Sequence, residues 1–136
     1  MAAPLELLRR VSLFDGLKDR DLKKLAQSFK ERRFSEGTTI AEEGKSGVGF
    51  FVIETGNVEY SVRGEKKGTG GPGECFGEVA LIDDGPRSAT VTAATDVTAY
   101  GLTSWEFRPL VEENAGIAWV LLQAMAKRLR DAQATS

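Results

Sequence analysis

Phe76-Gly77-Glu78-Val79-Ala80-Leu81-Ile82-Asp83-Asp84-Gly85-Pro86-Arg87-Ser88-Ala89-Thr90 is the most informative run in the chain. Gly77 to Ile82 is long enough for about one helical turn, and Gly77 allows close backbone approach. The N–H groups that open such a turn lack intrahelical partners and suit an anion. Arg87 follows Glu78 by nine residues, held between Pro86 and a β-type run. A guanidinium on a fixed backbone beside free N–H groups makes a phosphate site. The Glu78 carboxylate can accept hydrogen bonds from sugar hydroxyls. One anion site beside one diol acceptor outlines a sugar-phosphate.

On both sides of this run the chain reads as β. Glycines recur from Gly37 to Gly85, and short β-type runs lie between them: 38–41, 48–54, 58–63, 88–93 and 97–102. Short strands at close turn spacing indicate an antiparallel sandwich or barrel. Glu54-Thr55-Gly56-Asn57 reads as a tight hairpin turn. The Gly- and Lys-rich segment 64–73 reads as a mobile hairpin tip. Helical patterns flank the β region. A short amphipathic stretch covers 3–10, and Phe14-Asp15-Gly16 breaks it. A second helix follows, with Asp19 and Asp21 in its first turn and Leu22, Leu25, Ala26 and Phe29 on one stripe. Thr103 and Glu106 form a capping-box pattern, and Pro109 should shorten or kink the helix behind it. A last helix is predicted over 114–131, with Ile117, Val120, Leu121, Ala124, Met125 and Leu129 on one face. Trp119, Leu122 and Ala126 widen its apolar surface, so the helix must pack on the barrel, cover a ligand or pair with a second chain. Residues 132–136 should fray.

The bulk composition narrows the function. The chain has 136 residues, 41% hydrophobic and 28% charged, which fits one soluble domain. Net charge is −2 but uneven: 1–36 carries nine Lys/Arg against six Asp/Glu, 37–113 six against thirteen, and 114–136 three against one. An anion bound by the acidic middle segment needs a local device, because the overall field opposes it. Cys75 is the lone cysteine and there is no histidine, which removes an internal disulfide, Ser-His and Cys-His catalysis and the common zinc sites. Segment 64–73 lacks the Gly-Lys-Ser/Thr ending of a nucleotide-triphosphate loop. No apolar run reaches the ~18–20 residues of a membrane span, and no signal peptide is evident. The expectation is a cytoplasmic non-enzyme with no metal and no cofactor.

With these residues in view, the chain resembles the cyclic nucleotide-binding domain family of cAMP-dependent kinase regulators, catabolite-activator-type regulators and nucleotide-gated channels. The resemblance runs through Leu13-Phe14-Asp15-Gly16-Leu17, Glu43-Gly44, Phe50 to Gly56, the 76–90 cassette and Arg128-Leu129-Arg130. It implies an α+β, mainly β, fold: an antiparallel jelly-roll barrel with N-terminal helices and a C-terminal helix pair. One domain would span 1–136, divided as 1–33, 34–102 and 103–132. The resemblance also implies roles. Glu78 would bond the ribose 2′-hydroxyl and Arg87 the cyclic phosphate. Backbone N–H groups of Gly77, Ala80 and Ser88 would surround the phosphate and ribose. The Ser88 hydroxyl could also bond a syn guanine. Arg128 falls where some channel domains cap the base, with Lys127 and Arg130 as substitutes. Plainer readings stand beside these: an Arg87 ion pair with Asp83 or Asp84, Glu78 as a surface carboxylate, Ser88 as a strand residue, Arg128 as an exposed helix charge.

The implied function is a regulatory module that binds cAMP or cGMP and closes its last helix over the ligand, passing the signal to a fused effector or partner protein. The alternative is a binding-dead relative used for protein interaction or dimerisation. Direct reading of nucleic acid and membrane insertion are not expected.

Overall fold

The computed structural model describes residues 3–45, 49–77, 82 and 86–134. Eight strands form two antiparallel sheets. They are β1 (Lys30–Phe34), β2 (Thr39–Ala41), β3 (Phe50–Thr55), β4 (Val58–Val62), β5 (Glu65–Gly70), β6 (Cys75–Phe76), β7 (Thr90–Ala93) and β8 (Val97–Leu102). One sheet has the order β1-β8-β3-β6 and the other β2-β7-β4-β5. Together they make the jelly roll. The helices are α1 (Leu5–Leu8), α2 (Asp19–Ser28), α3 (Ser104–Glu113) and α4 (Ala115–Ala134), with a 3-10 turn at Ser12–Phe14.

The alternation along β3 and β8 explains the layering. Side chains two apart share a sheet face. Phe51, Ile53, Val97 and Ala99 meet Ala41, Val58, Val91 and Ala93 of the second sheet in one core. Their neighbours Phe50, Val52, Tyr100 and Leu102 pack with α1, α2, α3 and α4 in a second core. The first sheet is therefore covered on both faces, which is why Phe50 to Ile53 reads as an unbroken apolar run with all four residues buried. Three rings fix the helices to the sheet. Phe50 meets Phe14 and Phe29 edge-on, each at a centroid distance of 5.9 Å. Burying such a side chain is worth about 1.5–3 kcal/mol.

Three strands fall outside the sequence reading. β1 starts at Lys30, ahead of the expected boundary at residue 34, and β6 has only two residues. The expected mobile tip at 64–73 is instead largely the edge strand β5, paired with β4 from Val58↔Gly70 to Val62↔Glu65. Only Arg63 and Gly64 turn the hairpin, with φ of 52° and 79°, the signs a two-residue type I′ turn requires. The physical reason is that an edge strand is held by backbone ladder bonds, and its polar side chains are the usual defence of a sheet edge.

At the other end, Thr103 caps α3 with both halves of the capping box present. Pro109 neither ends nor shortens this helix, which runs ten residues to Glu113. Asn114 then separates α3 from α4. Its Nδ2 donates to the Leu110 carbonyl at 2.7 Å, and Lys24 Nζ of α2 donates to its Oδ1 at 3.0 Å. Helix α4 continues to Ala134, so 132–134 are helical. No helix among the described residues is long and apolar enough to cross a membrane.

Candidate functional site

The site is assembled where three loops meet beside the first sheet. Gly49 precedes β3, Gly77 follows β6, and Arg87 precedes β7. Arg87 is held at both backbone groups: its N–H donates to the Lys45 carbonyl at 3.0 Å, and its own carbonyl accepts from the Gly44 N–H at 2.9 Å. The same loop is secured again when the Glu43 N–H donates to Thr90 Oγ1 at 3.0 Å. Glu43 Oε1 in turn accepts from the Arg63 N–H at 2.8 Å, which ties the β4–β5 turn to this corner.

The Arg87 side chain runs inward. It is only 8% exposed and is the sole buried charged or polar residue among the described residues. Its Nη2 donates to the Gly49 carbonyl. A carbonyl dipole orients a guanidinium, and burial strengthens its interaction with any anion brought close to it.

Two glycines make room for this arrangement. A Cβ on Gly77 would meet Arg87 Nη1 and lie 2.6 Å from the Gly49 carbonyl oxygen, and Gly77 has φ +90°. A Cβ on Gly49 (φ +114°) would come within 3.1 Å of the Leu102 carbonyl carbon. Neither position accepts a side chain without a shift. Behind them Phe76 stacks on Phe51 with centroids 5.3 Å apart and meets Tyr60 edge-on at 6.3 Å. This aromatic wall fixes the end of β6, and hence Gly77.

The structure thus brings together Gly77 and Arg87, with exposed Ser88 next in the chain. Glu78, Ala80, Asp83 and Asp84 lie outside the described residues. Arg128 stands elsewhere: its Nη2 is 3.4 Å from Ser12 Oγ, at the 3-10 turn on the helical side. Gly49 is a site residue the sequence reading missed. Its one signal is a glycine directly before an apolar strand. No group of His, Cys, Asp and Glu that could hold a metal ion exists among the described residues.

Comparison with known proteins bears on this geometry. The family model "Cyclic nucleotide-binding domain" matches residues 31–114. The cAMP-dependent protein kinase regulatory subunit of Eremothecium gossypii is 39% identical over 100 residues, which cover 73% of this chain and 22% of that protein. A CRP-like cAMP-activated global transcriptional regulator of Mycobacterium tuberculosis is 28% identical over 130 residues, 92% of this chain and 58% of that protein. The crystal structure of the N-terminal domain of a transcriptional regulator from Streptomyces coelicolor superposes with a TM-score of 0.86 at 34% identity, covering 93% of this chain and 94% of that one. The chain spans only about a quarter of the kinase regulatory subunits it matches.

Proposed function

The chain belongs to the cyclic nucleotide-binding domain family, and on that premise we propose that it is a regulatory module whose ligand is cAMP or cGMP. The observation that carries this reading is the buried Arg87 guanidinium, which donates to the Gly49 carbonyl and occupies space that a side chain on Gly77 would fill. A cyclic phosphodiester supplies one negative charge, and its two exocyclic oxygens match two guanidinium N–H donors. The N–H groups of Gly77, Ala80 and Ser88 complete the shell, and Glu78 accepts from the ribose 2′-hydroxyl. Relatives named for cAMP make that nucleotide the first to test. The Ser88 hydroxyl is exposed and available to a syn guanine.

Signalling is a population shift. Ligand draws the cassette inward, and α4 leaves its resting contact at Ser12 so that Arg128 reaches the base, pivoting at Asn114 between α3 and α4. The output passes to a fused effector or a partner protein. The module performs no chemistry of its own and uses no cofactor, and a cytoplasmic location fits the same reading.

Isothermal calorimetry with cAMP and cGMP tests it. Arg87→Ala should lose about 2–5 kcal/mol of binding free energy, the usual loss on removing one partner of a desolvated charge pair. Equal affinity in the variant would remove Arg87 from the site. No heat with either nucleotide, for the intact protein, would favour the protein-interaction reading.

A further inference from the structure

The regular ladder that leads toward Arg87 stops short of it. β2 pairs with β7 at Thr39↔Thr92 and Ala41↔Val91, with a register shift between the two pairs. On the other side of β7 the ladder to β4 ends at Ser61↔Thr90. Single hydrogen bonds carry the contact onward. The Glu43 N–H donates to Thr90 Oγ1 at 3.0 Å, the Gly44 N–H to the Arg87 carbonyl at 2.9 Å, and the Arg87 N–H to the Lys45 carbonyl at 3.0 Å. These anchors fall on consecutive residues, so the place of Glu43 sets the other two.

The Glu43 side chain is half-buried. Its Oε1 reaches around the end of β7 and accepts from the Arg63 N–H at 2.8 Å. The pair Val62↔Glu65 closes the β4–β5 hairpin just inside its turn. The Arg63 N–H therefore has no place in that ladder, and an ionised acceptor is a strong partner for it. Neighbouring Glu42 is exposed and pairs with Lys45 at 2.8 Å. Of these two acids, Glu43 is the one that joins separate strand ends.

We infer that Glu43 is a positioning residue for the ligand site, a role that rests on the nucleotide reading of Arg87. Its carboxylate, fixed on the Arg63 N–H, holds residues 43–45 in the register that sets the Arg87 backbone. Gly77 leaves the guanidinium little freedom, since it already fills the space of a Gly77 side chain. A shift of residues 43–45 moves both backbone anchors of Arg87 together, and a two-point contact with a phosphodiester tolerates little displacement. The coupling is reciprocal. A ligand that fixes Arg87 also fixes Glu43, and through it the Arg63 N–H.

Calorimetry with cAMP and cGMP, paired with urea unfolding, tests this on wild type, Glu43→Ala and Glu43→Gln. Glu43→Ala should weaken nucleotide binding at least about tenfold. Glu43→Gln should stay within about threefold of wild type, because its amide oxygen can accept from the Arg63 N–H. Thr90→Val removes the acceptor of the Glu43 N–H and should also weaken binding, which keeps the test available if Glu43→Ala does not fold. Combined with Glu43→Ala it should cost less than the product of the two single losses. Nucleotide should slow hydrogen exchange at the Arg63 N–H in wild type and leave it unchanged in Glu43→Ala. Wild-type affinity in folded Glu43→Ala or Thr90→Val protein, a Gln variant as weak as the Ala variant, or Arg63 exchange indifferent to nucleotide would each overturn the positioning role. If the intact protein binds neither nucleotide, the nucleotide reading fails by itself, and Glu43 is then judged in the free protein. There the Arg87 Nε–H resonance should move in Glu43→Ala and return toward its wild-type position in Glu43→Gln. A resonance that stays fixed in all three proteins would overturn the inference.

Discussion

The helical face of the first sheet and the corner around Arg87 adjoin one another at the start of β3 and are made of opposite materials. On the helical face Phe14, Phe29 and Phe50 interlock and exclude water. At the corner Gly77 contributes no side chain, and the space it leaves takes in the Arg87 guanidinium, which donates to the Gly49 carbonyl. The first region stabilises the fold through burial. The second gives up packing and buries a charge, which on general grounds is neutral or costly for stability. Residues with that profile point to binding, because the favourable partner of a buried cation is an anion. The difference teaches that stability and recognition can be separated here by substitution, and each region supplies its own test.

The largest effect should come from the helical face. Phe50→Ala removes a fully buried ring that touches both Phe14 and Phe29. It should destabilise the protein by about 3–5 kcal/mol, read as a lowered urea midpoint. Among molecules that remain folded, nucleotide affinity should change little, because Phe50 points away from the glycine corner. A stability loss under about 1 kcal/mol would contradict the packing described.

Gly77→Ala should act on both properties, and less on stability. The added methyl meets the Arg87 guanidinium at a positive φ, a strain of about 1–3 kcal/mol. The guanidinium must move to relieve it, so nucleotide affinity should fall by about tenfold or more. If calorimetry finds affinity intact, Gly77 and Arg87 do not form one surface, and the contrast between the two regions fails at its recognition end.

Most of the layered architecture was legible because burial on two sides leaves a mark on side chains. Phe50 to Ile53 and Val97 to Leu102 carry that mark, as do the Thr103 and Glu106 caps. The β1 sequence Lys30-Glu31-Arg32-Arg33-Phe34 does not: four of its five residues are charged, and its pairing with β8 is a matter of backbone. The β5 edge strand was misread for the same reason. At the site, Arg87 was singled out from the residues that flank it, and the structure adds that its side chain is buried. Gly49 was not, since a carbonyl offered by a distant loop leaves no trace in local pattern. The resting position of Arg128 beside Ser12 depends on how α4 docks, which spacing along one helix does not specify.

The smallest effect concerns pH, and it sharpens the comparison by placing a charge on the stabilising side of the molecule. Burial pushes the Glu106 carboxyl up, but hydrogen bonds from the Thr103 hydroxyl and N–H and from Lys30 outweigh it and hold the group below its ordinary value of 4.5. With the native value the lower one, the unfolded chain binds more protons between the two values, so stability rises with pH there. The contribution is complete above 4.5 and is lost as pH falls through the native value. Other carboxylates titrate in the same window, so the useful quantity is a difference between two proteins. Glu106→Gln keeps the reciprocal cap, because an amide can also accept from the Thr103 N–H, but it cannot titrate. Urea unfolding of both proteins from neutral pH down to pH ~3 should show the wild type more stable at neutral pH and the gap closing as Glu106 protonates. A gap that stays constant across the range would mean that Glu106 acts through shape alone, and that the charge of Lys30 contributes nothing to the start of α3.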